Sequence, residues 1–214
     1  MQRGEVIVLP TDTVYGVGAD AFSPEAVAAV LAAKGRGRQM PPPVLIPDIR
    51  TVSGLAREVS ATARALMEAF WPGPLTVILL AQPSLAWDLG DTHGTVALRV
   101  PNHDAARALL SRTGPLAVTS ANRTGEHAAT TAAQAESQLG TKAALYLDAG
   151  PSPLGLASTI VDATDPAGLR IVREGGVTRE SIVAVVGEGA LYQEPAADAV
   201  AESAPVPGAE DSSR

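Results

Sequence analysis

Val6-Ile7-Val8-Leu9-Pro10-Thr11-Asp12-Thr13-Val14-Tyr15-Gly16, with Ser23-Pro24-Glu25 and the run Ala26 to Lys34 after it, decides the architecture of this chain. Four apolar residues closed by a prolyl, hydroxyl-rich turn predict a strand. Ser23 then reads as an N-cap, Pro24 as the first helical residue and Glu25 as the acid of the first turn. The helix runs to Lys34 and Gly35 stops it. A strand followed at once by a helix is the opening of an α/β fold.

The same alternation continues downstream. A short buried run, Val44-Leu45-Ile46, precedes a helix capped by Ser60 that Trp71-Pro72-Gly73-Pro74 breaks after Phe70. Strands are predicted over 75–80 and 95–100, and Asn102 or Asp104 opens a helix over 104–112. Leu116-Ala117-Val118-Thr119 reads as a strand delivering Ser120-Ala121-Asn122 to a loop. A helix over 131–139 follows, then strands near 144–148, 158–162 and 169–173, and a helix from Thr178 to Val186. This order predicts a sheet with helices packed on it; pairing order stays open, and the glycine-rich turns permit antiparallel members.

Composition narrows the possibilities. The chain has 214 residues, enough for one substantial core. Aromatic residues make up only 3% of it, so that core is built from Val, Leu, Ile and small residues. The absence of cysteine excludes disulfides, thiolate metal sites and a cysteine nucleophile, and fits a cytoplasmic protein. No apolar run approaches a membrane span, and no signal-peptide pattern opens the chain. Of the net charge of −7, residues 190–214 carry −4. That segment is rich in Ala, Pro and acids and is expected to be a disordered tail after a folded unit over 1–189. So acidic a chain is no general sink for nucleic acid, and any RNA contact is expected to be weak and local.

Against this background Lys34-Gly35-Arg36-Gly37-Arg38 stands out: three cations in five residues, with one of the chain's two lysines among them. A helix C-terminus explains Lys34. It does not explain Arg36 and Arg38 beyond the glycine, so the cluster points to an anion. Thr11, Asp12 and Thr13 at a strand end suit either a small-ligand site or an ordinary Asx or Ser/Thr turn, and spacing leaves the two even. Gly16-Val17-Gly18-Ala19-Asp20-Ala21 formally matches a dinucleotide fingerprint. Its helix starts too late, however, and Arg36, Arg38 and Gln39 stand where the ribose-binding acid belongs. The segment is read instead as a turn. Arg99 inside an apolar strand is expected at a sheet edge or, if buried, beside an anion. Ser120, Asn122 and Ser158 have turn or strand readings of their own, and Arg173 reads first as half of a surface ion pair with Glu174 or another acid. The three histidines show no metal-ligand spacing, and no metal-binding residues are assigned.

Taken in order, six segments resemble the YrdC-like threonylcarbamoyl-AMP synthases in their short, single-domain form. They are Pro10 to Gly18, Lys34-Gly35-Arg36, Trp71-Pro72-Gly73-Pro74, Thr95-Val96-Ala97-Leu98-Arg99, Ser120-Ala121-Asn122 and Ser158-Thr159-Ile160. The resemblance covers about residues 4–187. It implies a twisted mixed β-sheet with flanking helices around a concave, positively charged cavity. The implied reaction joins L-threonine, bicarbonate or CO2, and ATP into threonylcarbamoyl-AMP and pyrophosphate. It further implies Mg2+ accompanying ATP, with ligands unassigned, and tRNA-modifying threonylcarbamoyltransferase machinery as the consumer of the product. By the same resemblance Thr13, Arg99 and Ser158 hold L-threonine, Arg99 by its carboxylate. Lys34 and Arg36 face the ATP phosphates as the catalytic cations. Thr95, Ser120, Asn122 and Arg173 lie on the nucleotide side with the Val118 backbone. Met40-Pro41-Pro42 departs from the Lys or Asn, then Pro-Leu, usual in relatives, so one polar ATP contact is expected to be either missing or supplied elsewhere, with Arg38 a candidate. A non-catalytic RNA-binding module and a carbamoyl-AMP-forming carbamoyltransferase domain are the competing readings.

Overall fold

The structure, a computed structural model, describes residues 4–193. Its strands are β1 (Ile7–Leu9), β2 (Gly16–Asp20), β3 (Val44–Leu45), β4 (Ala56–Arg57), β5 (Leu75–Ala81), β6 (Thr95–Arg99), β7 (Leu116–Ser120), β8 (Leu145–Tyr146), β9 (Thr159–Asp162) and β10 (Arg170–Arg173). Between them lie the helices α1 (Pro24–Lys34), α2 (Val52–Leu55), α3 (Ala61–Phe70), α4 (Asp104–Thr113) and α5 (Ala132–Leu139), and α6 (Arg179–Val186) follows the last strand.

The helix boundaries follow local chemistry. Ser23 accepts a hydrogen bond from the Ala26 amide at 3.3 Å, and Gly35 ends α1 at φ 67°. Ser60, Thr131 and Thr178 cap α3, α5 and α6 in the same way. Each cap satisfies an amide that the first turn leaves without an intrahelical partner.

All ten strands join one mixed sheet in the order β10-β9-β5-β6-β3-β7-β2-β1-β8, with β4 attached to β5. The pairs β1–β8, β3–β6 and β5–β9 are parallel and the others antiparallel. Strand alternation divides the core. Ala117 joins the cluster formed with Leu66 and Met67 of α3 and Ile182 of α6. Its neighbours Leu116 and Val118 face the other way, onto Ala106 and Leu110 of α4. A third cluster packs Val8 and Val17 against α1 and α5. On the face shared with α4, Leu45 pairs with Arg99 and Thr76 with Ile160. There the sheet opens into a cavity.

Two sequence readings need correction. Gly16 to Asp20 is not a turn but β2, paired along its length with β7. Its glycines are required by the crossing strand: a Cβ on Gly16 would lie 2.5 Å from Val118 Cγ1, and one on Gly18 would lie 2.6 Å from Val118 Cγ2. Ser120, placed in a loop by the sequence, is the last residue of β7. Of the stretch expected as a tail, 190–193 are described. Leu191 is buried there, and the Tyr192 amide donates to the Leu169 carbonyl at 2.8 Å. The Arg170 guanidinium also lies over the Tyr192 ring, 4.0 Å from its centroid. Residues 194–214 lie outside the described residues.

Candidate active site

The turn between β1 and β2 serves itself first. Thr11 Oγ1 donates to the Val14 carbonyl at 2.6 Å and lies 2.9 Å from Thr13 Oγ1. This is a Ser/Thr turn, yet it also places Thr13 at the cavity. Arg99 arrives from β6 almost completely buried. Its Nη1 donates to Thr13 Oγ1 at 2.8 Å, its Nη2 to Asp12 Oδ1 at 2.5 Å, and its Nε to the Gly73 carbonyl at 3.0 Å. The anion required by a buried arginine is therefore Asp12, which the sequence reading left evenly between a ligand site and a turn. The Trp71-Pro72-Gly73-Pro74 turn contributes the Gly73 carbonyl, and is itself pinned by the Trp71 indole donating to Leu75 O at 2.7 Å.

The basic cluster separates into three environments. Lys34 is buried and turns inward; its Nζ donates to Ser120 O at 2.5 Å, Asn122 O at 2.7 Å and Asn122 Oδ1 at 3.0 Å. An ammonium has three protons, and these acceptors take all of them. Burial, reinforced by the Arg36 charge, lowers its pKa to about 8. Arg36 turns toward the cavity: Nη1 donates to Thr119 Oγ1 at 3.2 Å, and Nε is buried without a hydrogen-bond partner. Arg38 leaves the site altogether for a two-pronged ion pair with Asp88 at 2.8 and 2.9 Å. It does not line the cavity. Met40 and Pro41 themselves form part of the wall.

On the far side, Arg173 Nη2 donates to the Ser158 carbonyl at 2.7 Å, and Ser158 Oγ lies 2.8 Å from Thr76 Oγ1. These bonds replace the surface ion pair anticipated from sequence: Arg173 holds the residue that begins the β9 approach. A Cβ on Gly175 would come within 2.2 Å of the Ala157 carbonyl, which explains a glycine just past Arg173.

These groups surround a cavity of about 330 Å³, at the lower end of the range for small-molecule sites. Thr13, Arg36, Arg99, Val118, Ser120, Ser158 and Arg173 line it, and no acidic side chain does so among the described residues. Burial lowers the pKa of Arg36, Arg99 and Arg173. Arg36 additionally bears on Arg173, and Arg173 on Arg99, each disfavouring the other's charge. Lys34 and Asn122 stand behind the wall, clamped to each other. Thr95 does not reach the cavity; its hydroxyl donates to the Thr92 carbonyl at 2.8 Å, at the opposite end of β6 from Arg99. Thr76 and Thr119 line the cavity and were missed. Within apolar strands a threonine reads as simple β-propensity, and only the sheet face reveals it. Among the described residues no group of three His, Cys, Asp or Glu is placed to hold a metal ion, and no helix is long and apolar enough to cross a membrane.

A relative from Mycobacterium tuberculosis is 52% identical over 187 residues, 87% of this chain and 86% of its own length. The threonylcarbamoyl-AMP synthase of Bacillus subtilis is 39% identical over 190 residues, and the match spans 54% of that longer protein. The crystal structure of Pyrococcus abyssi Sua5 complexed with L-threonine superposes with a TM-score of 0.84 at 33% identity, over 91% of this chain and 57% of that one. Residues 1–175 match the Sua5–YciO–YrdC family, which carries the description telomere recombination. With the sheet and these matches in agreement, this chain belongs to the Sua5–YciO–YrdC family.

Proposed function

We propose that the chain is an L-threonylcarbamoyladenylate synthase, converting L-threonine, bicarbonate or CO2, and ATP into threonylcarbamoyl-AMP and pyrophosphate. The observation that carries this reading is the convergence of Arg36, Arg99 and Arg173 on one cavity free of acidic lining among the described residues. Cations that repel one another across a small space favour a bound anion, and this reaction brings two together. The name of the Bacillus relative and the threonine in the Pyrococcus complex support the same chemistry.

In this reading Arg99 takes the threonine carboxylate. Three of its five N–H groups are spent on Gly73, Thr13 and Asp12, leaving two. Thr13 and Ser158 supply hydroxyls beside it. Arg36, whose Nε has no partner, and Arg173 face the phosphates, with Ser120 and the Val118 backbone along the nucleotide. The neutral threonine amine adds to CO2, and the N–H proton lost on forming the carbamate passes to solvent. A carbamate oxygen attacks the α-phosphorus, the bond to the β-phosphate oxygen breaks, and pyrophosphate leaves with the electron pair. The barrier is positional and electrostatic, so fixed cations suffice without a dedicated base. Mg2+ comes in with ATP as part of the substrate and spreads charge onto the departing pyrophosphate. With no carboxylate in the lining among the described residues, Mg2+ would be held chiefly by the phosphates of ATP. The adenylate then passes to tRNA-modifying threonylcarbamoyltransferase machinery, a cytoplasmic role.

The test is threonine-dependent pyrophosphate release across the twenty amino acids, with carbamoyl phosphate as the competing carbamoyl donor. Threonine with bicarbonate is expected to give turnover and carbamoyl phosphate none. Arg36→Ala is expected to lower turnover at least a hundredfold with an unchanged circular dichroism spectrum; full activity in that variant would remove Arg36 from the mechanism. An RNA-binding module would consume no ATP with any amino acid.

A further inference from the structure

Asp12 is the buried acid of the site, and nothing in the proposed chemistry uses it directly. Its Oδ1 accepts from Arg99 Nη2 at 2.5 Å and from the Asn102 backbone amide at 3.0 Å. Its Oδ2 is buried without a hydrogen-bond partner. Asp12 does not line the cavity, whereas Thr11 and Thr13 on either side do. Its own carbonyl accepts from the Leu154 amide at 3.0 Å, fastening the segment between β8 and β9 that carries Ala157 and Ser158 to the wall. A carboxylate held by one oxygen, with the other left bare, is positioned for its guanidinium partner rather than for solvent or substrate.

We infer that Asp12 is a positioning residue for amino-acid recognition: anchored by the Asn102 amide, it fixes Arg99 so that the guanidinium's two unspent N–H groups meet the substrate carboxylate. This rests on the reading of Arg99 as the carboxylate ligand. Three fixed points hold the plane of the guanidinium, namely Gly73 O on Nε, Thr13 Oγ1 on Nη1 and Asp12 Oδ1 on Nη2. Of these only Asp12 is charged. Paired and hydrogen-bonded, a buried arginine stays ionised in the cavity; unpaired, burial works against its charge. Asp12 therefore supports both the aim and the ionisation of Arg99, and its carboxylate bonds to neither Arg36 nor Arg173.

The predicted signature is selective. In Asp12→Asn the KM for L-threonine rises about tenfold while the KM for ATP stays within about twofold. Asp12→Glu keeps the charge but shifts it by one methylene, and is expected to show the same selectivity more mildly. A double-mutant cycle identifies the route: because Asp12 acts through Arg99, Asp12→Asn combined with Arg99→Gln should lose no more threonine affinity than Arg99→Gln alone. Threonine binding by calorimetry on the full chain gives the same cycle without turnover, and melting temperatures report whether each variant folds. If Asp12→Asn does not fold, the decision rests on Asp12→Glu and on the doubly neutral variant. Unchanged threonine affinity in the folded variants, equal weakening of both substrates, or multiplicative losses in the cycle would each overturn the inference. If the wild-type protein shows no threonine-dependent turnover and binds no threonine, the functional reading fails instead, and the two failures are thereby told apart.

Discussion

Lys34 shows how little a residue's type says about its task. From the sequence it belongs with Arg36 and Arg38 as one cationic unit; in the fold the three serve a clamp, a cavity and a surface ion pair. Lys34 closes the end of β7 by gripping Ser120 and Asn122, so its influence on the cavity passes through that loop. Its pKa, lowered to about 8 from the ordinary 10.5 by burial and by Arg36, has a consequence for stability. Between those two values the folded chain has released the proton while the unfolded chain retains it. The unfolded state thus binds more protons, and stability rises with pH across that window. At 1.36 kcal/mol per pKa unit, reduced for solvent screening, the gain is on the order of 2–3 kcal/mol. The difference in unfolding free energy between wild type and Lys34→Met should therefore shift in favour of wild type from pH 8 to pH 10. A flat difference would show that the ammonium is not penalised by its surroundings.

Strand β2 illustrates the same point for an element. A segment with glycine at alternate positions has no apolar pattern and reads as a turn. Its identity comes from β7, whose Val118 methyls occupy the space that side chains at Gly16 and Gly18 would need. The two glycines differ in what confronts them. At Gly16 the closest atom is Val118 Cγ1, whereas at Gly18 the Ala117 carbonyl also lies 2.8 Å from the notional Cβ. Overpacking of this kind costs about 1–3 kcal/mol. Gly16→Ala and Gly18→Ala should both lower the melting temperature. Adding Val118→Ala should restore most of the loss for Gly16→Ala but little for Gly18→Ala, since a backbone carbonyl cannot be trimmed away. Equal rescue of both would locate the constraint elsewhere.

Across the whole molecule, the sheet gathers cations contributed by segments far apart in sequence. Arg36 follows α1, Arg99 ends β6 and Arg173 ends β10, yet all three reach one cavity. With no acidic lining among the described residues, binding a polyanion relieves their repulsion and stabilises the native state. In the proposed function, ATP at a hundredfold its dissociation constant should contribute about 2.7 kcal/mol, which corresponds to a melting temperature about 5–10 °C higher for a chain of this size. The rise should shrink by at least half in Arg173→Ala at the same ATP concentration. The same rise in wild type and in the Arg36 and Arg173 variants would place the phosphates outside this cavity.

Much was legible in the linear chain because the signals are local. Caps at Ser23, Ser60 and Thr178 act within three residues, the stop at Gly35 depends on one φ angle, and the apolar runs of β5, β6 and β7 bury themselves whatever their neighbours. The motifs that signal the family are likewise short and contiguous. What the chain could not disclose are relations across long separations: Asp12 with Arg99, Lys34 with Ser120 and Asn122, Thr76 with Ser158, and Gly16 with Val118. Hydrogen bonds and close contacts are made in space, and their partners are chosen by sheet order and register, which no local preference encodes. Residue types therefore marked the elements and the chemistry, while folding selected which cations meet the cavity and which are spent holding it together.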